Sequence, residues 1–255
     1  MANNNINMNP SMALTASVFF GIVTVVHFFY AGVIRPSAES AIAIEGAAAL
    51  SSVWVILKDY EQQVCISIGL YCIFLIGYKY TRIKNQEPLY TNNFLSQYED
   101  DAVVDMDKVL NDLEGSDYRS SGAMATWITC IRRFKNTGNV QHASDAITAS
   151  VESLSAQLES GNNAIRYIIW AIPSIGFVGT VRGIGSALAK AEEAVAGDIA
   201  GMVDKLGVAF NSTLVSLLIS LVLMLLLHIL NNRQDMMIIN TQKTCEEHLL
   251  THLHQ

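Results

Sequence analysis

Two long apolar segments, Ile165–Leu188 and Leu206–Leu230, constrain this chain more than any other feature. Crossing a hydrocarbon core takes ~20 mostly apolar residues, and each segment is long enough. Lipid offers no hydrogen bonds, so such segments must be helices that satisfy their own backbones. Both also carry residues that lipid does not reward. The first reads Ala171-Ile172-Pro173-Ser174-Ile175-Gly176-Phe177-Val178-Gly179-Thr180-Val181-Arg182-Gly183-Ile184-Gly185. The second holds Phe210-Asn211-Ser212-Thr213-Leu214-Val215-Ser216, with Ser220 beyond. The pair reads as a hairpin made to pack tightly against copies of itself and to line something polar.

The rest of the chain agrees with a membrane protein. It is 51% hydrophobic and only 15% charged, unlike an ordinary soluble domain. Met12–Ile34 is a further span, with no charge and one histidine, His27. Val64–Tyr78 marks another over about 62–80, with Tyr78, Lys79 and Tyr80 as interface anchors. Ser40–Leu57 is rich in Ala, Ser and Gly, with Glu45 inside it and Glu39 at its edge. An acidic residue at a span centre costs ~2.5–3.5 kcal/mol. Residues 36–60 therefore read as an extracytoplasmic helix or helical hairpin rather than a fifth span. The predicted fold is all-α, with four transmembrane helices, or five if 40–57 crosses. Residues 79–164 form a helical cytoplasmic domain inserted before the hairpin at 165–230, and 231–255 form a cytoplasmic helical tail.

Lys79, Arg82, Lys84, Arg132, Arg133, Lys135, Arg166 and Arg233 all fall on one side, which the positive-inside rule makes cytoplasmic. The opposite loops, Arg35–Gln63 and Ala189–Lys205, carry more acid than base. Met1–Pro10 is uncharged, and Arg35-Pro36 is a poor cleavage site, so the first span reads as uncleaved. Cys65, Cys72, Cys130 and Cys245 lack metal-ligand spacing, and no disulfide is expected. His248 and His252 share a helix face without further ligands. A net charge of −7 argues against nucleic acid as a partner. No cofactor and no enzymatic chemistry is indicated.

In the cytoplasmic domain Phe94, Tyr98, Ala102, Met106, Val109 and Leu113 recur at helical steps, predicting a helix over Asn93–Leu113. Gly122–Lys135 is a second helix, closed by Asn136-Thr137-Gly138-Asn139. Val140–Gly161 is a third, striped by Ala143, Ile147, Val151, Leu154 and Leu158. These stripes are narrow and gain most by packing against extensions of the spans or against other copies. Asn231–Leu253 reads as a polar continuation of the last span.

In the first arm Gly176, Thr180, Gly183 and Ala187 share one face, and Gly179 and Gly183 form a small-xxx-small pair. Pro173 removes an N–H, giving either a harmless kink or a functional one. In the second arm Thr213, Ser216 and Ser220 share a face, flanked by Asn211 and Ser212. A span hydroxyl usually bonds back to its own helix, which accounts for one such residue better than for a whole face. If Thr180 and Thr213 face each other, several copies in a ring make two hydroxyl rings around a polar path. Arg182 is either an interface anchor or a mouth charge that pairs with a partner's carboxylate or repels cations. Neither arm contains Asp or Glu, so a carboxylate for proton or sodium passage would come from another chain.

Pro173, Gly176, Gly179, Thr180, Gly183 and Ile184 resemble the first pore helix of the MotA/TolQ/ExbB proton channel family. Ala209-Phe210-Asn211-Ser212-Thr213 is similar to its second, and the resemblance covers about Ile165–Asn232. It implies that the two last spans line a pore, with Thr180 and Thr213 as pore hydroxyls and Pro173 as the kinked proline. It implies a homopentamer around two copies of a single-span MotB/TolR/ExbD-like protein carrying a membrane Asp. Such an assembly sits in the bacterial inner membrane, and ion flow onto that Asp turns the ring. Val208 stands where the transport branch often has a glutamate, and rotor-gripping charges of the flagellar branch are not in place. A non-flagellar role in envelope transport, surface motility or defence fits best. The alternative is a structural oligomeric scaffold whose hydroxyls only join helices.

Overall fold

The computed structural model describes residues 8–98, 105–197 and 199–252. The described residues are helical throughout their regular parts, with no strand among them. The α-helices are α1 (Met12–Phe29), α2 (Arg35–Glu45), α3 (Val53–Leu57), α4 (Tyr60–Asn85), α5 (Glu87–Thr91), α6 (Met106–Gly115), α7 (Gly122–Thr137), α8 (Val140–Gly161), α9 (Asn163–Leu188), α10 (Ala191–Val195) and α11 (Ile199–Thr244). Among the described residues 4 helical stretches are long and apolar enough to cross a membrane: Met12–Glu45, Tyr60–Asn85, Val140–Leu188 and Ile199–Leu250. The chain is an all-α membrane protein. It divides into two compact units, one comprising 11–76 and 164–227, the other 77–163 and 228–255 with the start of the chain.

In the first unit the helix begun at Met12 does not stop at Ile34, where the expected span ends. It widens into a π turn over Tyr30–Ile34, in which the Arg35 N–H bonds the Tyr30 carbonyl, and continues as α2. The wider turn makes room for the Pro36 ring, which would otherwise meet the carbonyl four residues back. α2 ends at Gly46, whose φ of +57° suits glycine. The chain then folds back through a 3-10 turn, Gly46–Ser51, into α3. Ala38, Ala49 and Val55 form the small core of this helical hairpin.

The second unit has its own apolar core. Val109, Leu110 and Leu113 of α6, Met124, Trp127, Ile128 and Ile131 of α7, and Ala143, Ile147 and Val151 of α8 are buried together. Cys245 and Leu249, from the π turn that extends α11, belong to the same core. The caps follow the sequence closely. Asp105 Oδ1 accepts from the Asp107 N–H at 2.9 Å, Ser121 Oγ from Met124 at 3.4 Å, and Asn139 Oδ1 from Gln141 at 2.8 Å. Gly138 ends α7 at φ +61°.

The helix expected over Asn93–Leu113 is not continuous. Asn93 Oδ1 accepts from the Leu95 N–H at 2.9 Å, starting a 3-10 turn at Phe94–Tyr98. A new helix begins at Met106 behind its Asp105 cap. Short polar side chains that bond the backbone locally favour such restarts. Residues 99–104, including Ala102, lie outside the described residues.

Lys79 is 1% exposed, although its sequence position reads as an interface anchor. Its Nζ donates to the Gly161 carbonyl at 2.7 Å and to Asn162 Oδ1 at 3.1 Å. Asn162 Nδ2 in turn donates to Gln234 Oε1 at 2.6 Å and Asn231 Oδ1 at 3.1 Å. This network joins α4, the α8–α9 junction and α11. Burial of an ammonium requires such partners.

Candidate functional site: the α9–α11 hairpin

The two arms run antiparallel. Gly176 faces Ser216 and Ser212, Gly179 faces Ser212, and Gly183 faces Ala209. A Cβ on Gly183 would lie 2.8 Å from the Ala209 Cα, and one on Gly176 would lie 2.9 Å from the Ser212 carbonyl oxygen. These contacts are to backbone, so only glycine fits, and the helices approach closely as small residues permit. The small face of α9 is thus occupied by the other arm of the same chain. Its partner is not a second copy, as the sequence suggested, because α11 presents a matching row of Ser and Ala. The surfaces left exposed are apolar, including Phe177, Val181, Leu217 and Leu221.

Thr180 and Thr213 meet at one edge of this seam. Their Oγ1 atoms are hydrogen-bonded to each other. Thr180 Oγ1 also lies 3.0 Å from the Ala209 carbonyl and 3.3 Å from that of Gly176, and Thr213 Oγ1 lies 3.4 Å from the Ala209 carbonyl. Both threonines are half-buried. Two hydroxyls and a shared carbonyl therefore form a small cluster of oxygens at the border of an otherwise apolar hairpin.

The other hydroxyls are internal to the packing. Ser212, Ser216 and Ser220 are 1%, 0% and 2% exposed. Ser216 Oγ donates to the Thr213 carbonyl at 3.0 Å. Asn211 is half-buried. Ser220 has a specific task. Pro173 lies inside α9 and cannot donate to the carbonyl four residues back, that of Ile169. Ser220 Oγ donates to that carbonyl at 3.1 Å. The donor that proline removes from one arm is replaced by a hydroxyl from the other, as a proline in a membrane helix requires. Its signal in the sequence was the pairing of an in-span proline with a spare serine in the facing arm.

Arg182 pairs within the chain. Its Nη2 donates to Glu61 Oε2 at 2.8 Å. Glu61 stands in the first turn of α4 with its side chain only 12% exposed, against 53% for Arg182. The neighbouring Gln62 is 0% exposed, and its Nε2 donates to Ser212 Oγ at 3.4 Å. Nothing in the sequence pointed to Glu61 and Gln62, since they stand far from the hairpin in sequence. Among the described residues no group of three His, Cys, Asp or Glu could hold a metal ion.

Comparison with known proteins gives one finding. Residues 121–243 match the MotA/TolQ/ExbB proton channel family. No curated protein and no solved structure matches the chain. The matched segment begins at the cap of α7 and takes in Pro173, the glycine seam and both threonines. Through that segment the chain matches the MotA/TolQ/ExbB proton channel family.

Proposed function

We propose that this chain is the ion-conducting subunit of a motor in the bacterial inner membrane, driven by the ion-motive force. It forms a homopentamer around two helices of a single-span MotB/TolR/ExbD-like partner. The translocated ion is H+ or Na+, and no cofactor takes part. The observation that carries this reading is the Thr180–Thr213 contact at the half-buried edge of the hairpin, within a segment matching a channel family. Hydroxyl and carbonyl oxygens can hand over a cation or order a water chain, but they do not store a proton at neutral pH. Neither arm supplies a carboxylate, and the nearby Glu61 of α4 is held by Arg182, which supports a titrating Asp on the partner. No residue here is matched to the rotor-gripping charges of the flagellar branch, which favours a non-flagellar system.

The test is proton or sodium flux into inner-membrane vesicles from cells that express the chain with its single-span partner. Thr180→Ala and Thr213→Val each reduce flux at least tenfold while the oligomer keeps its size. Normal flux in both overturns the pore assignment. A scaffold reading has one observation in its favour: Ser216 and Ser220 bond within the hairpin and Ser212 bonds Gln62 of α4, so all three hydroxyls join helices of one chain. It predicts that the same two substitutions break the oligomer and that the unaltered protein carries no flux.

A further inference from the structure

We infer that the turn from Lys58 to Gln62, at the start of α4, is a clamp that positions the two threonines. Three bonds leave this turn for the hairpin. Glu61 reaches α9, accepting from Arg182 Nη2 at 2.8 Å. Gln62 reaches α11, donating to Ser212 Oγ at 3.4 Å. Lys58 Nζ reaches α11 further along, at 3.2 Å from Asp204 Oδ1. Two adjacent residues of one helix thus hold the two arms separately.

The grip falls beside the threonines. Glu61 Cγ lies 3.0 Å from where a Cβ on Gly179 would stand, and Gly179 precedes Thr180. Ser212 precedes Thr213. The clamp therefore touches each arm at the residue before its threonine. It is needed because the seam is built from Gly, Ala and Ser. Small residues bring backbones close but offer few knobs to lock one helix along the other. Polar bonds at defined positions fix the register instead.

The turn retains features that packing alone does not explain. Gln62 Oε1 and Asp59 Oδ2 are buried without a hydrogen-bond partner, a costly state for a turn that only connects helices. Burial also pushes the Asp59 carboxyl above its usual range; Lys58 and Arg182 oppose that shift, and Glu61 and Asp204 add to it. Glu61, Gln62 and Arg182 are accordingly positioning residues, whose importance rests on the Thr180–Thr213 contact being the ion path.

The test reads arm geometry directly, without ion flow. Full-length Thr180→Cys/Thr213→Cys protein in native membranes is oxidised with copper-phenanthroline and disulfide formation is timed. The four native thiols are buried. Cross-linking slows at least fivefold when Glu61→Gln or Gln62→Leu is added. The charge swap Glu61→Arg/Arg182→Glu returns it to within twofold, which a general loss of stability would not do. Unchanged rates in both single variants overturn the clamp. If those variants fail to accumulate, Arg182→Lys is read: slowed cross-linking supports the clamp and an unchanged rate overturns it. Slowed cross-linking alongside normal flux in Thr180→Ala would keep the clamp and remove the ion-path reading.

Discussion

Ser220 and Pro173 show how far single residues depend on a facing helix. The Ile169 carbonyl has lost its ladder donor to Pro173 and accepts a hydrogen bond from Ser220 Oγ at 3.1 Å. Ser220→Ala leaves a buried acceptor unsatisfied, which costs about 1–3 kcal/mol. Thermal unfolding of the detergent-purified protein is expected to show that loss. Pro173→Ala restores an N–H to the same carbonyl, so Ser220→Ala made on that background should cost much less. Equal losses on both backgrounds would mean that Ser220 does not serve the proline's carbonyl. The hydroxyl face was legible in the sequence from its spacing, but its division of labour was not. Thr213 and Ser216 lie on one stripe of α11, yet Thr213 sits at a half-open edge and Ser216 is closed in by Gly176. A helical wheel gives direction, and only the facing helix decides what is covered.

At the scale of the element, the glycines of α9 divide sharply. A Cβ at Gly183 would meet the Ala209 backbone at 2.8 Å, whereas one at Gly185 would meet nothing within 4 Å. Gly183→Leu therefore cannot be relieved by a rotamer change and must push the arms apart. It should lower the unfolding temperature strongly and abolish the Thr180→Cys/Thr213→Cys cross-link. Gly185→Ala should hold or raise stability by about 0.5–1 kcal/mol, since alanine is the better helix former. Comparable destabilisation by both would contradict the seam described. The helices themselves were largely readable: α8 begins at Val140 behind Asn139 and ends at Gly161, where apolar period and punctuation agree. Two features were not. The helix runs on past Ile34, where the expected span ends, because a π turn accommodates Pro36. Arg182 reads from the sequence as either an interface anchor or a mouth charge, whereas its carboxylate comes from Glu61, and the sequence records no contact between residues so far apart.

Across the whole molecule, the last helix serves both units. Its apolar half lies in the hairpin, and its polar end supplies Cys245 and Leu249 to the core built by α6, α7 and α8. The narrow stripes of those helices could not close a core alone, and the tail is what completes it. Leu249 is 0% exposed, and truncating a buried leucine costs about 2–5 kcal/mol. Leu249→Ala should therefore speed hydrogen exchange of the α7 and α8 amides by one to three orders of magnitude, since each 1.4 kcal/mol is a factor of ten in an opening equilibrium. Exchange within 164–227, which belongs to the other unit, should stay unchanged. A surface control, Gln242→Ala, should change neither, because its amide bonds only the exposed Glu246 on the same helix. Faster exchange confined to the tail itself would show that Leu249 decorates this core rather than closing it. The same residues would then have to be explained by a further copy or partner packed against α7 and α8.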